Sequence, residues 1–136
     1  VNSFVFLARW HYFDGIVFHR VIPGFMIQAG GFSGGFVEKK TRDPIVNEAT
    51  NGLKNDAGTI AMARRGDPNS ATAQFFINTV SNDGLNRPNP DGHGYAVFGK
   101  VIKGLDIVDA MQKVPTNRER PVTDVVINSV TIRSCV

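Results

Sequence analysis

One arginine stands where a charge is hardest to accommodate. Arg20 lies inside Phe18-His19-Arg20-Val21-Ile22-Pro23-Gly24-Phe25-Met26-Ile27-Gln28-Ala29-Gly30-Gly31, among phenylalanine, isoleucine and methionine. Its guanidinium does not deprotonate in a protein and carries several N–H donors in a planar fork. Such a group is costly to bury without partners. Two arrangements satisfy it. Either Arg20 lines a surface pocket beside the apolar residues, or its stem lies along them while the charge reaches water. The first places a permanent hydrogen-bond donor next to an apolar slot, with the amide of Gln28 on the same surface. That is equipment for holding and polarising a ligand.

The surrounding pattern says how these groups are placed. Phe18, Arg20 and Ile22 alternate with His19 and Val21, which is strand period. Pro23-Gly24 is a turn signal, proline pre-setting φ and glycine free to take φ > 0. Phe25-Met26-Ile27 starts a returning strand on which Met26 and Gln28 share a face. A second strand with the same kind of surface spans residues 74–79. There Gln74, Phe76 and Asn78 share one face, and Phe75 and Ile77 read as core.

The other elements frame these strands. Residues 1–10 read as a helix, with Asn2 or Ser3 able to cap it. Residues 32–55 are loop-rich, and residues 58–63 form a strand of small residues with Met62. Residues 80–94 are dense in turns, and their one large apolar residue, Leu85, is suited to drop into a pocket. Residues 95–101 form a strand interrupted by Gly99. Residues 104–114 form an amphipathic helix ended by Pro115, and residues 122–132 form a closing strand. Spaced short strands with turn signals favour a barrel or sandwich, here with helices plugging its ends.

Rival chemistries find little support. His11, His19 and His93 lack metal-ligand spacing with cysteine or carboxylates, and no histidine neighbours Ser70 or Thr72. His19 points away from Arg20 on its strand and reads as structural. The chain of 136 residues is long enough for one domain with one core, and its 42% hydrophobic and 20% charged residues are ordinary for a globular protein. The net charge of +3 comes from scattered basic residues, which argues against nucleic-acid binding. The single cysteine, Cys135, cannot form an internal disulfide. No run is long enough to span a bilayer, and no signal peptide is visible.

These residues resemble the cyclophilins, the cyclosporin-type peptidyl-prolyl isomerases. The stretch from Phe18 to Gln28 looks like the family signature. A second similar block is Ala61-Met62-Ala63-Arg64, followed after a loop by Ser70-Ala71-Thr72-Ala73-Gln74-Phe75-Phe76-Ile77-Asn78. A third is Tyr95-Ala96-Val97-Phe98-Gly99-Lys100-Val101. The resemblance covers nearly the whole chain in family order. The Ala-Met-Ala-Arg block and Tyr95 look more like bacterial members than animal ones.

The resemblance implies a mainly β fold, a closed antiparallel β-barrel capped by two α-helices, with eight strands in the family and fewer here. Residues 1–136 would be a single cyclophilin-like domain, N-terminally truncated because the family hairpin before the first helix is absent. The implied activity is peptidyl-prolyl cis-trans isomerisation, with Arg20 as the catalytic arginine. Phe25, Met26, Phe76 and Leu85 would build the proline pocket. Gln28 and Gln74 would hold the substrate backbone, while Ala63 and Arg64 supply groove wall and main-chain contacts. Tyr95 stands where many relatives carry histidine, and Gly84 where they often place Trp or Phe. Both departures imply weak cyclosporin binding.

The implied partners are proline-containing peptides and unfolded or partly folded proteins, with no cofactor, metal, nucleic acid or membrane, acting as a monomer. The cytoplasm is favoured, with periplasm or secretion left open because the chain starts on Val1. The competing expectation is a non-catalytic proline-peptide-binding module or folding scaffold, whose affinity would survive Arg20→Ala.

Overall fold

The computed structural model describes residues 1–133, so Cys135 lies outside the described residues. Helix α1 runs Asn2–Arg9 and turns Leu7 and Ala8 inward. Its N-cap is Val1, with no side-chain cap bond. Asn2 and Ser3 therefore sit within the first turn, one and two positions too late for the capping the sequence suggested.

The strands that follow are short. They are β1 (Arg20–Ile22), β2 (Met26–Ala29), β3 (Phe32–Ser33) and β4 (Val37–Glu38), then β5 (Thr59–Met62), β6 (Phe75–Asn78) and β7 (Val97–Lys100). Helix α2 (Leu105–Gln112) precedes a last hairpin, β8 (Thr116–Asn117) and β9 (Arg120–Pro121). Strands β3 and β4 make a small hairpin inside the segment expected to be loop. The turn between β1 and β2 is built as its residues suggest, with Gly24 at φ +72° and the Phe25 N–H donating to the Ile22 carbonyl at 3.1 Å.

Five strands form one antiparallel sheet in the order β1-β2-β6-β5-β7. Each of its two faces buries an apolar cluster. One face carries Val21, Ile27, Phe75 and Ile77 into the main core with Leu7 of α1, Val108 of α2, and Phe13 and Ile16. Phe75 is the hub of that core. The rings of Phe4, Phe13 and Phe18 meet it edge-on at 5.5, 5.7 and 6.2 Å. The opposite face buries a smaller cluster of Met26, Ala61, Ala63, Phe76 and Val97.

One expectation is met in part and two change. The ladder leaves β1 and β7 as sheet edges among the described residues, so it does not draw the closed barrel. Residues 122–132 form no regular strand. Among the described residues, their backbone meets residues 15–18, where Gly15 donates to Ile127, Ile127 to Ile16, and Phe18 to Val125 at 2.8–2.9 Å, and Val122 donates to Pro115 at 2.9 Å. Beyond Ile127 no further backbone pairing exists among the described residues, although Val130 and Ile132 still pack against the core. Finally, Phe18 does not share the face of Arg20. It turns into the core with Val21, and regular strand geometry begins only at Arg20.

Candidate active site

Register assembles the site. Arg20 lies opposite Gln28, Gln28 opposite Phe76, Phe76 opposite Ala61, and Ala61 opposite Val97. This row crosses the whole sheet. The strand period of two adds Ile22, Met26 and Asn78 to the same face. The result is a guanidinium, an amide and an aromatic ring from three separate strands, side by side on a rigid support.

Over this row opens a cavity of about 120 Å³. Its buried base is Met26, Phe76 and Ala63, its sides are Phe25, Leu85 and Tyr95, and its polar groups are Arg20, Gln28 and Arg64. Nine of the ten residues singled out from the sequence line this one space. The tenth, Gln74, accepts a 2.7 Å hydrogen bond from the Gln28 amide. It lines an adjoining depression of about 260 Å³ together with Gln28, Ala63 and Arg64. A separate cleft of about 180 Å³ lies beside Phe4, Ile45 and Phe98. It includes neither Arg20 nor the glutamines, so it does not hold this chemistry.

The two arginines differ. The Arg20 side chain is 46% exposed, and its Nε lies 3.3 Å from Glu119 Oε1. The Arg64 side chain is 3% exposed. Its two terminal nitrogens reach Asp91 at 2.9 and 3.0 Å, the Gly94 carbonyl accepts from it at 2.8 Å, and its guanidinium lies 4.3 Å from the Tyr95 ring centre. The hydrogen bonds from Arg64 hold the Asp91 carboxyl down at about 2. Arg64 is thus fully engaged by the loop before β7, and it fixes Tyr95 as a side of the cavity.

A chain of asparagines sets the other sides. Asn78 is fully buried and donates to Asn55 Oδ1 and Thr59 Oγ1 at 3.0 Å. Asn55, also fully buried, donates to the carbonyls of Leu85 and Tyr95 at 3.3 and 3.2 Å. Asn82 donates to Asn78 Oδ1 at 2.8 Å and to the Phe25 carbonyl at 2.9 Å. Phe25, Leu85 and Tyr95 are therefore tied to β6 by hydrogen bonds that the apolar interior shields from water.

His19 is structural, by its packing rather than by strand alternation, since β1 begins only at Arg20. Its ring packs edge-on to Phe32 at 4.7 Å, and its Nδ1 is buried without a partner among the described residues. Burial, reinforced by the charges of Arg20 and Arg120, pushes it down to about 4, so it is neutral near neutral pH. The sequence reading missed Glu119, Asp91, Asn55 and Asn82. Only Asn78 carried a signal, being placed on the ligand face of its strand.

Comparison with known proteins identifies the family. Residues 1–132 match the family model described as cyclophilin type peptidyl-prolyl cis-trans isomerase/CLD. The chain is 50% identical to peptidyl-prolyl cis-trans isomerase B of Escherichia coli (strain K12), over 97% of this chain and 85% of that one. It is 52% identical to peptidyl-prolyl cis-trans isomerase cyp18 of Streptomyces antibioticus, over 98% and 82%. A crystal structure of a Cryptosporidium parvum cyclophilin type peptidyl-prolyl cis-trans isomerase, in the presence of the dipeptide Ala-Pro, superposes with a TM-score of 0.81 at 28% identity. That likeness covers 98% of this chain and 84% of the other. With the family model, the fold and the two bacterial relatives in agreement, this chain belongs to the cyclophilin-type peptidyl-prolyl cis-trans isomerases, on their bacterial-like side.

Proposed function

We infer that this isomerase works on X-Pro bonds of proline-containing peptides and of unfolded or partly folded proteins, and that Arg20 carries the rate. The X-Pro amide populates both isomers because its trans preference is weak, yet it exchanges slowly because rotation breaks amide resonance, a barrier of about 18–20 kcal/mol. In the twisted state the proline nitrogen regains a lone pair and becomes an acceptor. In either planar ground state that pair is delocalised. A donor aimed at this nitrogen binds the transition state and neither ground state, which is what catalysis requires. Each ~1.4 kcal/mol so gained speeds rotation about tenfold.

The observation that carries this reading is the sharing of one cavity by the Arg20 guanidinium and the apolar base of Met26 and Phe76. In this reading the proline ring sits on that base, between Phe25 and Leu85. Gln28 and Gln74 exchange their mutual bond for bonds to the flanking peptide backbone. Apolar surroundings strengthen the donor from Arg20. Residues 1–136 act as one domain, and the sheet takes part in the closed barrel of the family. The pairing of residues 125–127 against residues 15–18 supports that closure. Weak cyclosporin binding belongs to the same reading, since a Cβ at Gly84 would meet nothing within 4 Å and no ring fills that rim. The test is catalysed exchange of an Ala-Pro peptide by wild type and Arg20→Ala. The rate enhancement should largely vanish in the variant while its circular dichroism is unchanged. Equal rates would refute the role of Arg20.

A further inference from the structure

The acid beside Arg20 comes from a hairpin far along the chain. Strands β8 and β9 flank a two-residue tip, Arg118 and Glu119, at φ 51° and 69°. Such tips suit the twist of a tight hairpin, but glycine and asparagine adopt them at much lower cost than arginine or glutamate. The tip is held from outside. The Val21 N–H donates to the Glu119 carbonyl at 2.6 Å, and the Arg120 guanidinium lies 4.7 Å from the Phe36 ring centre. The backbone of Glu119 is thereby fastened to the residue after Arg20, and its carboxylate meets Arg20 Nε at 3.3 Å. That contact occupies one edge of the fork. Among the described residues, the two terminal nitrogens of Arg20 have no protein partner. They are free to donate into the cavity that Arg20 lines.

We propose that Glu119 is a positioning residue for Arg20, pinning Nε so that the terminal nitrogens face the substrate, an inference that rests on the catalytic role of Arg20 given above. A half-exposed arginine otherwise samples many rotamers, and most of them point its donors elsewhere. The two side chains are 46% and 49% exposed, so the pair is screened and its effect modest.

The experiment compares X-Pro peptide exchange in wild type, Glu119→Ala, Glu119→Gln, Arg20→Ala and the Arg20→Ala/Glu119→Ala double variant. The bond from Val21 to the Glu119 carbonyl does not depend on the side chain, so the hairpin stays docked in each. Glu119→Ala should lower kcat about threefold with KM unchanged. Glu119→Gln, which keeps an acceptor, should recover part of the loss. In the Arg20→Ala background the Glu119 substitution should change nothing further. The Arg20 Nε–Hε NMR signal should exchange with water faster in Glu119→Ala than in wild type. A Glu119→Ala enzyme as fast as wild type or faster, alongside a crippled Arg20→Ala, overturns the positioning role alone. An Arg20→Ala enzyme with the wild-type rate removes the catalytic reading and this role with it.

Discussion

Arg64 and Asp91 form a two-pronged ion pair, at 2.9 and 3.0 Å, between a side chain almost sealed from solvent and a carboxylate one-third exposed. The pair bolts the loop before β7 to the end of β5 and sets the Tyr95 ring against the cavity. Its signature should be acid-sensitive. The folded-state carboxyl titrates at about 2, below its ordinary 3.8. Its stabilisation is therefore complete above the ordinary value and is lost as pH falls from there toward 2. Asp91→Asn should be less stable than wild type near pH 7 in urea unfolding, and the gap should close across that acid window. A gap independent of pH would show that the carboxylate charge contributes nothing.

His19 should act in the same direction but over a different range. Burial lowers it from 6.5 to about 4, so the unfolded chain binds its proton at higher pH than the folded one. Stability from the neutral ring is full above about 6.5 and declines as pH falls to about 4. His19→Phe keeps a ring against Phe32 and removes the titration. Relative to wild type, the variant should gain stability as pH drops through that window. Parallel stability curves for the two proteins would contradict the buried neutral histidine.

The asparagine chain makes a prediction that joins stability to binding. Asn55→Ala strips partners from Asn78 and from the carbonyls of Leu85 and Tyr95. The Tyr95 carbonyl then loses its donor, while Asn78 keeps Thr59 and the Leu85 carbonyl keeps the Tyr95 N–H, and the change should cost about 1–3 kcal/mol in urea unfolding. Because Leu85 and Tyr95 flank the cavity, KM for an X-Pro peptide should rise as well. A destabilised variant with unchanged KM would show that the network supports the fold without shaping the site.

Gly31 offers a way to move Gln74 without mutating it. A Cβ at this position would lie 2.5 Å from Gln74 Nε2 and 2.8 Å from its Cδ. In Gly31→Ala the flexible glutamine should swing away, break its bond to Gln28 and raise KM about threefold, with kcat little changed. Unaltered KM would mean that Gln74 does not hold the substrate.

The ligand face was legible because a few local rules coincide there. Strand period placed Met26 with Gln28 and Gln74 with Phe76, register then set Gln28 opposite Phe76, and Gln74 meets Gln28 by hydrogen bond. Phe75 and Ile77 read correctly as core from the same alternation. Phe18 did not follow it, because the chain enters β1 only at Arg20 and the preceding residues bend into the aromatic core. The supporting groups left little trace. Asp91 lies 27 residues from Arg64, and Glu119 lies 99 residues from Arg20. No periodicity or turn signal encodes such pairings, which arise only once the sheet and its loops are folded. The segment from 122 to 132 shows the converse error. Val125, Ile127, Val130 and Ile132 do pack against the core, yet a strand also needs a neighbour, and among the described residues pairing stops at Ile127.

The role proposed for the Arg20 guanidinium is to favour the twisted amide over both planar forms. NMR exchange spectroscopy on one Ala-Pro peptide yields the on-enzyme interconversion rate and the Kd of each isomer from the same sample. In Arg20→Ala the interconversion rate should fall about a hundredfold, the range expected for losing a preorganised donor to the transition state, while both Kd values stay within about twofold. If both Kd values instead weaken strongly and the bound peptide still interconverts at the wild-type rate, Arg20 serves only to bind, and the account is wrong.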